Sequence, residues 1–193
     1  MSQDTFELLK TMDVKKIELQ LSLQCAPVLS GLKASNLFVI SNQMAGAVLD
    51  LFRNTKYRIR VIGQNNERTT FLLYREEELY TYLNLPEVRK ILKEYGYQKS
   101  SQEEILNEFS NRYMKYLQGK EPFPHEMGLF LEYPVEDVLG FIQHGGQNSL
   151  YTGYWKVYSD LQEKISLFEQ FNQAKERLIY LVYHRQFTLQ QAF

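Results

Sequence analysis

Cysteine, tryptophan and histidine are scarce in this chain of 193 residues: one, one and three respectively. A single thiol, Cys25, excludes an intramolecular disulfide and a cysteine-rich zinc site, and it suits a reducing compartment. A net positive charge is also lacking. The formal charge is −1, which argues against a general nucleic-acid binder, whose affinity comes from a basic surface releasing counterions. The local run Arg53, Lys56, Arg58 and Arg60 reads as a solvated face. No window approaches the ~20 apolar residues of a membrane span. The first residues lack the basic and apolar regions of a signal peptide. A cytoplasmic protein with no membrane partner is expected. No glycine-rich phosphate loop is present, and Leu129 stands where an HExxH zinc helix needs its second histidine. No cofactor is identifiable, and no metal site is assigned.

What remains is ordinary globular periodicity. Asp4 with Glu7 resembles a capping box, and Asp13 is placed to cap a second helix carrying Val14, Ile17 and Leu21. Pro27 should stop that helix, leaving residues 24–35 as a loop. Residues 37–40 read as a buried strand, with Ser41 or Asn42 capping the helix that follows. Tyr57, Ile59 and Val61 alternate with arginines, then Gly63-Gln64-Asn65-Asn66 leads into residues 69–74. That is a β-hairpin. Pro86 opens a helix that Gly96 ends, and Ser101 with Glu104 caps another that Gly119 closes. Residues 129–133 read as a strand, Pro134 starts a helix ended by Gly145-Gly146, and residues 154–158 read as a further strand. Ser159 and Gln162 open a long last helix, and residues 188–193 should fray. The expected fold class is α/β (or α+β): a single globular domain over 1–193. Its mixed four- to five-stranded sheet contains a β-hairpin and is flanked by helices.

Few residues are candidates for chemistry. His125-Glu126 can act as a general acid/base or metal pair. The plainer alternative has His125 bonding a backbone carbonyl and Glu126 in solvent. Cys25, near Lys33, can be a nucleophile if its thiolate is favoured, or a buried structural thiol. Tyr154, Lys156 and Tyr158 can form an aromatic wall with a cation, with Trp155 in the core beside them.

Three blocks resemble a bacterial family of unknown function (DUF family 3793). They are Cys25-Ala26-Pro27 with Gly31, Lys33 and Asn36-Leu37-Phe38; Pro124-His125-Glu126 with Gly128-Leu129-Phe130-Leu131, Tyr133-Pro134, Asp137-Val138 and Gly140-Phe141-Ile142; and Gly153-Tyr154-Trp155-Lys156-Val157-Tyr158. The resemblance implies a small soluble bacterial protein and supplies no activity. It singles out Cys25, Lys33, Asn36, His125 and Glu126 as a shared polar set. Family members often carry cysteine just before the Gly-Tyr-Trp block. Thr152 stands there in this chain, so a two-thiol role is not implied.

The leading expectation is therefore a binding or accessory protein with a small-molecule or protein partner. Its pocket would be lined by the 25–36 segment, with Lys33 and Asn36, by His125-Glu126 and by Tyr154, Lys156 and Tyr158. The rivals are an enzyme using His125 or Glu126, with or without Cys25, and metal or haem binding through His125 and Cys25. A homodimer is a further expectation, from the tyrosine-rich composition and the long last helix.

Overall fold

A computed structural model describes residues 1–98 and 101–189. Two helices, α1 (Gln3–Thr11) and α2 (Ile17–Leu29), lead into strand β1 (Ser35–Ser41). A 3₁₀ turn (Asn42–Met44) and α3 (Ala45–Phe52) precede the hairpin of β2 (Arg58–Gln64) and β3 (Arg68–Tyr74). Then come α4 (Glu76–Leu83), α5 (Pro86–Glu94), α6 (Gln102–Leu117), the short α7 (Met127–Phe130) and α8 (Val135–Gln143). A second hairpin, β4 (Tyr151–Thr152) and β5 (Lys156–Val157), leads into α9 (Leu161–Tyr183).

The sheet departs from expectation. Among the described residues it has three strands in the order β1-β3-β2, all antiparallel, so the class is α+β and the sheet is not mixed. The missing strand is residues 129–133. They form α7 and a reversal at Glu132, whose φ is +52°. A five-residue apolar run does not distinguish a strand from a buried helical turn. The expected 154–158 strand shrinks to β5 for the same reason: Trp155 packs sideways into aromatics and does not extend a ladder.

The 24–35 loop is corrected too. Helix α2 runs on through Pro27 to Leu29. Proline removes one helical hydrogen bond, at about 3 kcal/mol. Leu21, Cys25, Ala26, Val28 and Leu29 are all fully buried, at roughly 1.5–3 kcal/mol for each large side chain, and that burial wins. The Pro27 carbonyl then accepts from Leu32 and Lys33. Several caps also move. Ser2, not Asp4, caps α1, accepting from the Thr5 N–H at 3.4 Å. Asp13 closes a turn on Lys15, while Lys16 precedes α2 and Asp160 precedes α9. Asn42 clasps the first hairpin, bonding Asn65, Gln64 and Thr69. The Ser101 cap and the left-handed Gly96, Gly119, Gly145 and Gly146 are as expected.

Strand β3 has core on both faces. Leu72 and Tyr74 meet α4, α5, α6, α7 and α8. Phe71 and Leu73 meet α2, α3 and Leu178 of α9. Leu189 belongs to that second core, against the expected fraying. Residues 190–193 of the same expectation lie outside the described residues. A third, smaller cluster joins Trp155 and Val157 to Phe168 and Phe171 of α9. Among the described residues no helix is long and apolar enough to cross a membrane.

Candidate functional site: an aromatic cleft between α7–α8 and the second hairpin

The cleft owes its existence to Asp137, one turn into α8. This carboxylate is buried, at 1% exposure. It accepts from Trp155 Nε1 at 2.7 Å and from the backbone N–H groups of Tyr158 at 2.7 Å and Ser159 at 3.2 Å. Three donors satisfy a charge that would otherwise be costly to bury. They also fix the second hairpin against α8. Trp155 then stacks on Tyr133, with centroids 4.9 Å apart, and stands edge-on to Phe168 at 4.6 Å. Gly153 lets the hairpin lie against the Phe168 ring, because a Cβ there would come within 2.4 Å of it.

Between these elements lies a cavity of about 420 Å³. Its aromatic walls are Phe123, Tyr133, Phe141, Tyr154 and Trp155, and Leu37, Met127, Leu131 and Val138 add apolar floor. Polar groups are few: His125, Thr152, Lys156 and the engaged Asp137. Size and lining match a small-molecule site.

The candidate residues separate clearly. His125, Tyr154 and Lys156 line the cleft. His125 is exposed between the rings of Phe123 and Phe141, at 5.6 and 5.3 Å, and among the described residues its imidazole makes no hydrogen bond. Its neighbour Glu126 is buried and lies outside that lining. There it accepts from Tyr97 Oη at 2.9 Å and faces Arg112 at 3.5 Å. Arg112 in turn lies 4.6 Å from the Tyr97 ring centre. The expected solvated Glu126 is thus corrected: it anchors the 124–127 turn to α6. Lys156 donates to the Gly146 carbonyl and stands 6.0 Å from the Phe141 ring centre. The Tyr154 hydroxyl donates to Asn172 at 3.0 Å, and burial pushes its phenol up to about 12.

The others fall outside the lining. Cys25 sits in the second core with its Sγ 3.5 Å from the Leu37 carbonyl. Burial pushes its thiol far up, and Lys33 offsets only part of that. The Leu37 side chain packs on the first core, so the sheet separates Cys25 from the His125 cleft. Among the described residues no contact joins Cys25 to His125, and Cys25 lies outside the lining that holds His125. Among the described residues no group of three or more His, Cys, Asp or Glu side chains is gathered to hold a metal. Asn36 donates to the Gln24 carbonyl at 3.0 Å, and Tyr158 stacks on His144.

Lys33 is buried, and its Nζ lies 4.8 Å from the centre of the Tyr133 ring, a cleft wall. Burial pulls its ammonium down to about 8, against the opposing pull of Glu132 and Cys25. Burial raises Glu132 in turn, against the Ala34 N–H, Lys33 and Arg75.

Two expected outcomes follow for the thiol. Native protein should leave Cys25 unreactive toward a disulfide reagent over hours, and denaturation should expose one thiol. Cys25→Ala should cost about 1–2 kcal/mol in urea unfolding and leave the cleft unaltered. Fast labelling of the native thiol would contradict this.

Sequence reasoning missed Asp137, Tyr133 and Phe141 as site residues. By sequence position alone Asp137 is a first-turn carboxylate of the kind that complements a helix dipole. A buried acid and a lone tryptophan, both within one compact segment, were the available signal.

A family model described as Protein of unknown function (DUF3793) matches residues 21–190. No curated protein and no solved structure matches the chain.

Proposed function

Because the chain belongs to the DUF3793 family of proteins of unknown function, we propose a function from the cleft: it binds a small, flat, largely apolar molecule between Phe141, Tyr133 and Trp155. The observation that carries this reading is the cavity of about 420 Å³ walled by five aromatic side chains. Aromatic faces give large contact area at little entropic cost and accept another ring by offset stacking. The few polar groups at the lip would orient the molecule. Binding without chemistry is favoured over acid–base catalysis, since Glu126 is held by Tyr97 and Arg112. Glu126 is thus not beside His125 in the cleft to act with it as an acid–base pair.

The test uses N-phenyl-1-naphthylamine, a neutral two-ring fluorophore. Trp155 is the chain's one tryptophan and sits in the wall, so energy transfer from it reports occupancy directly. Saturable one-to-one binding with transfer from Trp155 is expected. Thr152→Tyr, at an exposed position on the lip, should block the opening and weaken binding by about tenfold or more. Absence of saturable binding, or binding indifferent to Thr152→Tyr, would refute the reading.

A further inference from the structure

The charges around the cleft lean positive. Three of its aromatic walls each have a lysine against the ring. Lys33 Nζ lies 4.8 Å from the Tyr133 centroid, Lys175 Nζ 4.8 Å from that of Tyr154, and Lys156 Nζ 6.0 Å from that of Phe141. A cation over a ring draws on its π density, so these walls present less negative faces to whatever enters. The lining holds one carboxylate, Asp137, and its oxygens are occupied by three donors. Glu132 offsets part of the Lys33 charge. Within the lining Lys156 is opposed by Asp137 alone, whose hydrogen-bonding oxygens are already engaged. Its ammonium gives one hydrogen to the Gly146 carbonyl, and an ammonium has three. His125, against the same Phe141 ring, adds a second nitrogen donor with no protein partner among the described residues.

An aromatic cage lined with carboxylates would suit a quaternary ammonium. This cleft has the opposite polarity. We infer that its ligand is an aromatic anion, a flat ring system carrying a carboxylate, sulfonate or phosphate. The rings would lie between Phe141 and Trp155, and the acidic group would be held by Lys156 with His125 beside it. This rests on the small-molecule reading above and specifies the ligand's charge.

A matched pair of probes separates the two ideas. 1-Anilinonaphthalene-8-sulfonate carries the same rings as N-phenyl-1-naphthylamine plus one negative charge. Lys156→Met should weaken the sulfonate by about tenfold, the loss expected for one charge-assisted hydrogen bond. The neutral probe, which makes no ionic contact with Lys156, should lose less than the sulfonate. Lys156→Arg should retain most of the sulfonate affinity and shows that the site is folded. Raising salt from 0.05 to 0.5 M should weaken the sulfonate selectively. Sulfonate affinity unchanged in Lys156→Met, or both probes weakened alike while the Arg variant also fails, overturns the anion inference. Neutral probe bound and sulfonate excluded also overturns it, while sparing the small-molecule reading. Neither probe bound removes both.

Discussion

Replacing Asp137 with alanine is expected to cost about 4 kcal/mol of stability and to dismantle the cleft. Each hydrogen bond to a buried carboxylate contributes roughly 1.5–3 kcal/mol, and Asp137 accepts three. The variant leaves the indole N–H and two backbone N–H groups to find water. At this chain length such a loss lowers the midpoint of thermal unfolding by roughly 10 °C. The defect should begin locally. Trp155 is 8% exposed, and its emission should shift to the red in Asp137→Ala at temperatures where far-ultraviolet dichroism still reports full helix content. Asp137→Asn keeps one carbonyl oxygen as acceptor and should fall between. A wild-type midpoint with unshifted emission in Asp137→Ala would show that the hairpin is held by its aromatic contacts alone.

Lys33→Met is expected to act in the opposite direction, and its effect should depend on pH. The folded protein holds the Lys33 ammonium at about 8 because of burial, against about 10.4 in an unfolded chain. Below pH 8 the amine is protonated in both states, and only the folded state bears the cost of desolvating it. As pH rises from 8 toward 10 the folded state releases its proton first. The unfolded state then binds more protons, and stability rises with pH. The full shift corresponds to roughly 3 kcal/mol. Lys33→Met should therefore be more stable than the parent at pH 7 by up to roughly that amount, and the difference should shrink steadily by pH 10. Glu132, Arg75 and Cys25 face the same region and are common to both proteins. Urea unfolding at pH 7, 8, 9 and 10 measures the difference. A variant destabilised equally at every pH would mean that Lys33 contributes chiefly by packing on Tyr133.

Burial disfavours the Lys33 ammonium, and the side chain lies against a cleft wall, as the proposed binding site would have it. His125, whose imidazole makes no hydrogen bond among the described residues, and the half-buried Lys156 line that cleft directly. Glu126 and Lys164 are the contrasting case. Glu126 is paired with Tyr97 and Arg112, and Lys164 with Glu136 at 2.8 Å. Their charge serves the joins between elements.

Local chemistry was legible where one rule acts alone. The alternation of residues 57–74 with its Gly-Gln-Asn-Asn turn encodes the β2–β3 hairpin. Gly96, Gly119 and Gly145-Gly146 mark helix ends because they take positive φ. The reading went astray where tertiary burial overrode a local preference. Pro27 stays inside α2 because the helix is apolar and buried along most of its length. Residues 129–133 turn through a left-handed Glu132, a conformation that no glycine announces. The site was half visible. His125, Tyr154 and Lys156 carry obvious chemistry and line the cleft. Asp137 is defined by partners 18 to 22 residues away, and no spacing rule connects a helix-start carboxylate to a distant indole. Cys25 is the chain's one thiol, yet its α2 position buries it in the second core.

The measurement that bears most directly on the cleft is ¹H–¹⁵N shift mapping during titration with 1-anilinonaphthalene-8-sulfonate. The amides of Gly128, Val138, Phe141, Gly153, Trp155 and Lys156 should move together along one saturating curve, with those of α1 and α3 unmoved. Shifts scattered over exposed apolar positions such as Leu150 and Tyr183, or no saturable shift in the cleft, would contradict the assignment of this cavity as a binding site.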